Sequence, residues 1–291
     1  FYNSKIALQD DKIDVVPTAD NDLLTVETGD IYQLGKHKII CGDSTDINVI
    51  KKLIGNNIIE IALTDPPYNL GYEYHSYKDN KTEQEYQQFC AKWFANLKTV
   101  TDKILITCGP QNLGMWFDIE KPRWILNWIK RQAQSGSALL GFNRHEPVVF
   151  YNLSEPVVFY GNVKKRVNVD IYDADNERSD VYDVHTAFSE DHEEKKLHSC
   201  PKPVKLFAKI MKDFTNTGDV ILDVFGGYGT SLLAAEKINR CSYCVELDPL
   251  YVALAIRRWE QYTNKKAVKL NGPTEPRRRK NSRKQKAEVS G

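Results

Sequence analysis

The chain has 291 residues, 41% of them hydrophobic and 27% charged, with a net charge of +1. That supplies a sizeable core and one large domain carrying an insertion. It contains no run of ~18 apolar residues, which excludes a transmembrane helix, and no secretory signal sequence. Its six scattered cysteines fit a reducing, cytoplasmic compartment rather than a disulfide framework.

Residues 1–28 are acidic and linker-like, and without an initiator methionine the chain is expected to be a piece of a longer protein. Beyond them, hydrophobic patterning predicts a strand at 37–41, a helix at 46–54 and a strand at 58–64. That strand is short, apolar and rich in β-branched residues, as suits the interior of a parallel sheet. It runs into Asp65-Pro66-Pro67-Tyr68. Two prolines cannot continue a ladder and hold φ fixed, so the strand stops with a carboxylate, stiff carbonyls and an aromatic ring at its carboxyl end, where open α/β sheets bind ligands. Taken alone, Asp-Pro at a strand end is equally a capped turn.

The stretch 70–81 is polar and aromatic, with Tyr72, Tyr74, His75 and Tyr77, and reads as an ordinary loop or as a lid. Thr82 and Glu85 have the spacing of a capping box opening a helix over 82–99. Strands follow at 103–107, 123–130 and 146–151. Glu146-Pro147-Val148-Val149-Phe150-Tyr151 recurs as Glu155-Pro156-Val157-Val158-Phe159-Tyr160, a repeat that could close a hairpin through 152–154. Residues 161–197 have little periodicity; they begin basic at Lys164, Lys165 and Arg166 and then turn acidic.

A helix at 202–214 leads to a strand at 220–224 and a glycine-rich turn with Gly226, Gly227 and Gly229. A helix at 229–238, a strand at 241–246 and a helix at 248–262 complete the pattern. Glycines in a strand-to-helix turn allow close backbone approach to a ligand. Glu246, about 20 positions on, is placed to accept from ribose hydroxyls. The chain has no P-loop signature, which suits a nucleoside ligand lacking a pyrophosphate. Cys241 and Cys244 have CxxC spacing, but no second pair supports a metal site, and the pair reads as part of a buried strand. Residues 277–286 carry seven positive charges and no negative ones, which leaves the rest of the chain at −6. This tail is expected to lack fixed structure and to attract DNA nonspecifically, a solubilising or targeting role being the alternative.

The pair Asp65-Pro66-Pro67-Tyr68 and Phe225-Gly226-Gly227-Tyr228-Gly229-Thr230, in that order, resembles the β class of S-adenosylmethionine-dependent DNA amino-methyltransferases. The resemblance covers roughly 29–263, from the lead-in 29–44 through His198-Ser199-Cys200-Pro201-Lys202-Pro203 to Arg257-Arg258-Trp259. It implies a class I methyltransferase fold: α/β, Rossmann-like, a doubly wound, mostly parallel sheet with a small target-recognition insertion. By this likeness the divisions are a linker-like 1–28, a catalytic half at 29–160, a recognition insertion at 161–197, a cofactor-binding half at 198–270 and a basic tail at 271–291. The family pattern places Phe225, Gly226, Gly227 and Gly229 against the methionine part of S-adenosylmethionine, Glu246 on the ribose, Asp43 at the adenine ring and Lys202 on the cofactor carboxylate. The target base falls to Asp65, Pro66, Pro67 and Tyr68. Lys164, Lys165, Arg166 and Arg178 are candidate DNA contacts. The chain departs from the family pattern at Val224, Tyr228 and Cys200; Tyr228 must point away from the cofactor or narrow its pocket.

The implied reaction moves a methyl group to the exocyclic amino nitrogen of a flipped base, with no metal. An initial Asp in the four-residue motif goes with adenine N6 more often than with cytosine N4. Double-stranded DNA is the expected partner and a membrane is not. A homodimer, a partner restriction nuclease and a fused domain stay open, as does a non-catalytic nucleic-acid-binding subunit of the same fold.

Overall fold

A computed structural model describes residues 23–72, 75–129, 136–137, 141–142, 145–153, 181–183 and 202–271. The second copy of the repeat, Lys164, Lys165, Arg166, Arg178, Cys200 and the basic tail lie outside the described residues, as does all of 161–197 apart from three strand residues.

Five strands form the parallel centre of a ten-stranded sheet: β2 (His37–Cys41), β11 (Cys241–Glu246), β10 (Val220–Asp223), β3 (Ile61–Thr64) and β4 (Lys103–Thr107), in that spatial order. Beyond β2, β1 (Ile31–Leu34) and β12 (Val268–Lys269) add antiparallel margin strands. Beyond β4, β8 (His145–Asn152) pairs antiparallel with β4 and with β5 (Trp124–Ile129), and β9 (Val181–Asp183) runs parallel to β5. A separate two-stranded ribbon joins β6 (Gly136–Ser137) to β7 (Gly141–Phe142). The expected mixed, mostly parallel α/β sheet is therefore present.

Side chains alternate across the central strands with period two. Ile61, Leu63, Leu105, Ile221 and Cys244 enter one core layer with α4 (Val204–Phe214), α5 (Thr230–Lys237) and α6 (Pro249–Thr263). Ala62, Ile104, Ile106, Leu222 and Val245 enter the other with α1 (Ile47–Ile54), α2 (Glu83–Lys98) and α3 (Leu113–Ile119). In that second layer Trp93 and Trp116 are fully buried and meet edge to face, with ring centroids 5.4 Å apart. Thr82 and Glu85 form the predicted capping box. Among the described residues no helix is long and apolar enough to cross a membrane.

Two expectations are corrected. The strand begins at Ile61 rather than residue 58, and Ile58 is 84% exposed; β3 pairs with β10 and β4 only from Ile61 onward, so the β-branched residues before it lie outside the ladder. β1, β12 and α3 carried no sequence signal strong enough to be predicted, because each is short and held by tertiary pairing or packing.

The topology sets the site. The chain leaves β3 towards β4 on one side, and leaves β10 towards β11 on the other, although β3 and β10 are neighbours. Their carboxyl ends therefore open a crevice at a topological switch point. Gly229 opens α5 in a left-handed conformation, φ 75°, and a Cβ there would come within 3.1 Å of Ala255 and Leu232. Gly229→Ala is expected to destabilise the fold by ~1–2 kcal/mol from the backbone term alone; equal denaturation midpoints for wild type and variant would refute this.

Candidate active site

The crevice is a cavity of about 310 Å³, lined from both halves of the chain by residues that include Asp43, Asp65, Tyr68, Glu146, Lys202, Phe225 and Glu246. Its two sides are tied at the strand ends. The Thr64 hydroxyl at the end of β3 donates to Asp223 Oδ1 at the end of β10, 2.8 Å, and accepts from the Val224 N–H, 3.2 Å. Asp223 also accepts from the Phe225 N–H and the Ser231 hydroxyl. Burial raises its carboxyl to about 6.

On one side stands Asp65. Its Oδ1 accepts from the Thr107 hydroxyl and from the Lys202 ammonium at 3.1 Å, and lies 2.9 Å from the Tyr68 hydroxyl, whose single proton it shares with Glu146. Asp65 lines the cleft, and its carboxylate meets Tyr68, Thr107 and Lys202 through Oδ1, which leaves Oδ2 available as an acceptor. The stiff turn is gripped by its other carbonyls: the Tyr86 hydroxyl from α2 donates to Pro67 O at 2.7 Å, and Asn112 Nδ2 to Tyr68 O at 2.8 Å. The Pro66 carbonyl accepts from no described residue. Two acceptors on a rigid frame match the two N–H bonds of an amino group.

Tyr68 also reaches Glu146 Oε1, 2.7 Å away. Burial, with Asp65 and Glu146 beside it, raises its phenol well above the ordinary value, so it stays a neutral donor. The Lys202 ammonium lies 4.7 Å from the centre of its ring and 3.1 Å from Glu146 Oε1. The family likeness implied that Lys202 holds the cofactor carboxylate; here the ammonium stands between Asp65 and Glu146.

On the opposite side, Glu246 ends β11 with its carboxylate beneath the glycine turn. Oε2 accepts from the Gly227 N–H at 2.7 Å and Oε1 from the Asp248 N–H at 2.9 Å. Burial outweighs those two bonds and raises the carboxyl to about 7. Gly227 has φ 48°, and a Cβ there would meet nothing within 4 Å. Beside the open cleft, this is space a ligand could fill. Gly226 N–H bonds to Val245 O, and a Cβ on it would come 3.1 Å from Cys244. Phe225 and Asp43 also line the cleft, and Asp43 braces its own turn through the Thr45 N–H, 2.8 Å. A backbone cradle without lysine, beside a buried carboxylate, fits the ribose and sulfonium side chain of S-adenosylmethionine.

Two residues of the turn do something else. Gly229 does not line the cleft and instead allows α5 to approach α6. Tyr228 is 3% exposed and packs on Tyr251, centroids 4.8 Å apart, with Leu254 in the same cluster. It is thus folded back against α6 at the cleft wall.

The loop after the motif is closed at its base by Asp79, which accepts from the N–H groups of Asn69 and Leu70, each 2.9 Å. Further along, His75 Nδ1 and the Ser76 hydroxyl reach Asp248 Oδ2 at 2.9 and 2.7 Å. Sequence reasoning missed Glu146, Thr107, Tyr86, Asn112 and Asp248 as site residues. The one legible hint was an acid heading an apolar strand at Glu146; the others are ordinary helix, strand and turn residues until the fold assembles them.

The chain is similar to several known proteins. The chain is 28% identical over 250 residues to the type II methyltransferase M.HpaI of Haemophilus parainfluenzae, covering 78% of this chain and 75% of that one. It is 27% identical over 249 residues to the type II methyltransferase M1.MboII of Moraxella bovis, covering 74% and 92%. TTHA0409 of Thermus thermophilus, solved complexed with S-adenosyl-L-methionine, superposes with a TM-score of 0.52 at 19% identity, covering 78% of this chain and 94% of that one. The PvuII DNA methyltransferase, cytosine-N4-specific, gives 0.54 at 16%, covering 80% and 92%; both show the shared fold. Residues 59–257, more than half of the chain, match the N6/N4 methyltransferase model described as DNA methylase, and the protein therefore belongs to the N6/N4 DNA methylase family.

Proposed function

We propose that this protein methylates DNA at a specific site, transferring a methyl group from S-adenosylmethionine to the exocyclic amino group of a flipped base, adenine N6. S-adenosylmethionine is the methyl donor, and supplies an electrophilic, sulfonium-bound methyl group. The observation that carries the reading is Asp65, held through Oδ1 and lining one cleft with Pro66 and Glu246.

An exocyclic amino nitrogen is a poor nucleophile because its lone pair is conjugated with the ring. Asp65 Oδ2 and the Pro66 carbonyl accept its two N–H bonds and favour a pyramidal nitrogen whose lone pair is directed at the methyl carbon. Holding that geometry contributes much of the rate. The base leaves the duplex to reach them. With the Lys202 ammonium over one face of Tyr68, the other face is the one on which the base stacks, worth ~1–3 kcal/mol. The proton lost from nitrogen leaves to water or Asp65. Adenine rests on the Asp that opens the motif, and residues 161–197 carry the sequence reading in this proposal. Labelled-methyl transfer to DNA, RNA and protein, followed by nucleoside identification, tests it. N6-methyladenine is expected; N4-methylcytosine would replace the base assignment, and no labelled DNA would overturn the function.

We read residues 70–81 as a lid over the site. His75 and Ser76 in it reach Asp248, beside Glu246, so closing it would also slow cofactor exchange. A His75→Ala/Ser76→Ala double variant is expected to release S-adenosylmethionine roughly tenfold faster, the scale of one hydrogen bond to a charged acceptor. An unchanged dissociation rate by stopped flow would sink the lid.

A further inference from the structure

We propose that Glu146 and Lys202 are positioning residues for methyl transfer: with Asp65 they form a carboxylate–ammonium–carboxylate cluster of net charge −1 that orients Asp65 and offsets the positive charge acquired by the target nitrogen. The inference rests on the reading of Asp65 as the group that grips the amino nitrogen.

Three separate parts of the chain converge on the cluster. Asp65 follows β3, Glu146 lies in β8, and Lys202 immediately precedes the α4 region. The ammonium is 3.1 Å from Asp65 Oδ1 and 3.1 Å from Glu146 Oε1. Lys202 and Glu146 are both buried, at 8% and 5% exposure. A buried ammonium needs compensating carboxylates, and a buried Glu beside Asp65 needs a cation between them. Lys202 supplies that cation, 3.1 Å from an oxygen of each carboxylate.

Tyr68 links the same groups. Its oxygen is 2.7 Å from Glu146 Oε1 and 2.9 Å from Asp65 Oδ1. A phenol has one proton, so it donates to one carboxylate at a time, and the shorter contact is to Glu146. Thr107 and Lys202 then hold Asp65 Oδ1. Glu146 thereby fixes the ring on which the base would stack and the cation that turns Asp65 Oδ2 towards the cleft.

The charge count fits the chemistry. As the N–C bond forms, the C–S electron pair passes to sulfur, and the positive charge moves to the base nitrogen until one N–H proton leaves to water or Asp65. A preorganised site of net −1 next to that nitrogen stabilises the charge as it develops, without reorganising. Replacing the Glu146 carboxylate by an amide removes one of the two negative charges at Lys202 while keeping the side chain's size and one acceptor oxygen.

The test uses Glu146→Gln, Lys202→Met and Asp65→Ala in the full chain. Single-turnover methyl transfer, S-adenosylmethionine affinity by calorimetry and the pH–rate profile are measured for each. Glu146→Gln keeps the shape and one acceptor oxygen, and is expected to lower the transfer rate by ~10²-fold while the cofactor Kd stays within about twofold. Lys202→Met is expected to move the acid limb of the pH–rate profile up by about one unit or more, because the two carboxylates then share a proton, again with cofactor Kd unchanged. Should Lys202→Met not fold, Lys202→Gln carries the same measurement. A wild-type rate in Glu146→Gln overturns the cluster. So does a lysine variant that binds cofactor tenfold more weakly yet turns over normally at saturation, which would put Lys202 on the cofactor carboxylate. Substantial turnover by Asp65→Ala would instead overturn the gripping role of Asp65.

Discussion

Asp65→Ala is expected to lower the single-turnover rate of methyl transfer by ~10²-fold or more, while S-adenosylmethionine still binds. The two halves of that result have separate causes. In the proposed mechanism Asp65 supplies an acceptor that acts on the reacting nitrogen, and its loss leaves only the Pro66 carbonyl to orient the amino group. The proposed cofactor cradle, by contrast, consists of Gly226, Gly227 and Glu246 across the cleft, and none of these bonds to Asp65. The variant also leaves Lys202 with Glu146, which keeps the ammonium compensated and the core intact. Substantial turnover by a correctly folded Asp65→Ala protein would remove the assignment; loss of cofactor binding as well would mean that the two sides are more tightly coupled than the tie between Thr64 and Asp223 alone.

Glu246→Ala is expected to weaken S-adenosylmethionine binding by ~10²–10⁴-fold, from the loss of two charge-assisted hydrogen bonds of ~1.5–3 kcal/mol each. It also frees the Gly227 and Asp248 N–H groups that the carboxylate now pins. A pH dependence accompanies the role. Burial raises the Glu246 carboxyl to about 7, so above that pH the group is ionised and, in the proposed role, accepts from both ribose hydroxyls. Below it, protonation removes one acceptor site, and cofactor must displace the proton to bind. Affinity is therefore full above about pH 7 and falls as pH drops through it, approaching tenfold per unit. Calorimetry of wild type and Glu246→Gln across that range checks both the size and the sign. A flat wild-type profile would show that the carboxylate is not what binds.

Several elements were legible in the chain because local chemistry dictates them. Lys103–Thr107 and Cys241–Glu246 are strands with the predicted bounds, each a short run between turn or helix signals. Thr82 and Glu85 make a capping box because both partners lie within one helical turn. The strand to Asp65 was placed too early, since the β-branched character of Ile58 and Ile59 says nothing of whether a neighbouring strand reaches them. Segments of two to four residues, such as Val268–Lys269, are too short for any period to register.

Within the site the same division holds. The motif at 65–68, the glycine turn and Glu246 were readable because backbone-restricting and acidic residues at strand ends have few other reasons to cluster. By itself, then, the sequence determined the alternating α/β plan, the two ends of the cleft and the family likeness. Tertiary structure decided which groups meet inside it: Thr107, Glu146 and Lys202 come from positions up to 137 residues away from Asp65 and share its carboxylate or its neighbours. It also turned Tyr228 towards α6 and Gly229 away from the cleft. The physical reason is that hydrogen bonds and ion pairs act over about 3 Å, and which residues come that close is fixed only when β3, β4, β8 and α4 have packed.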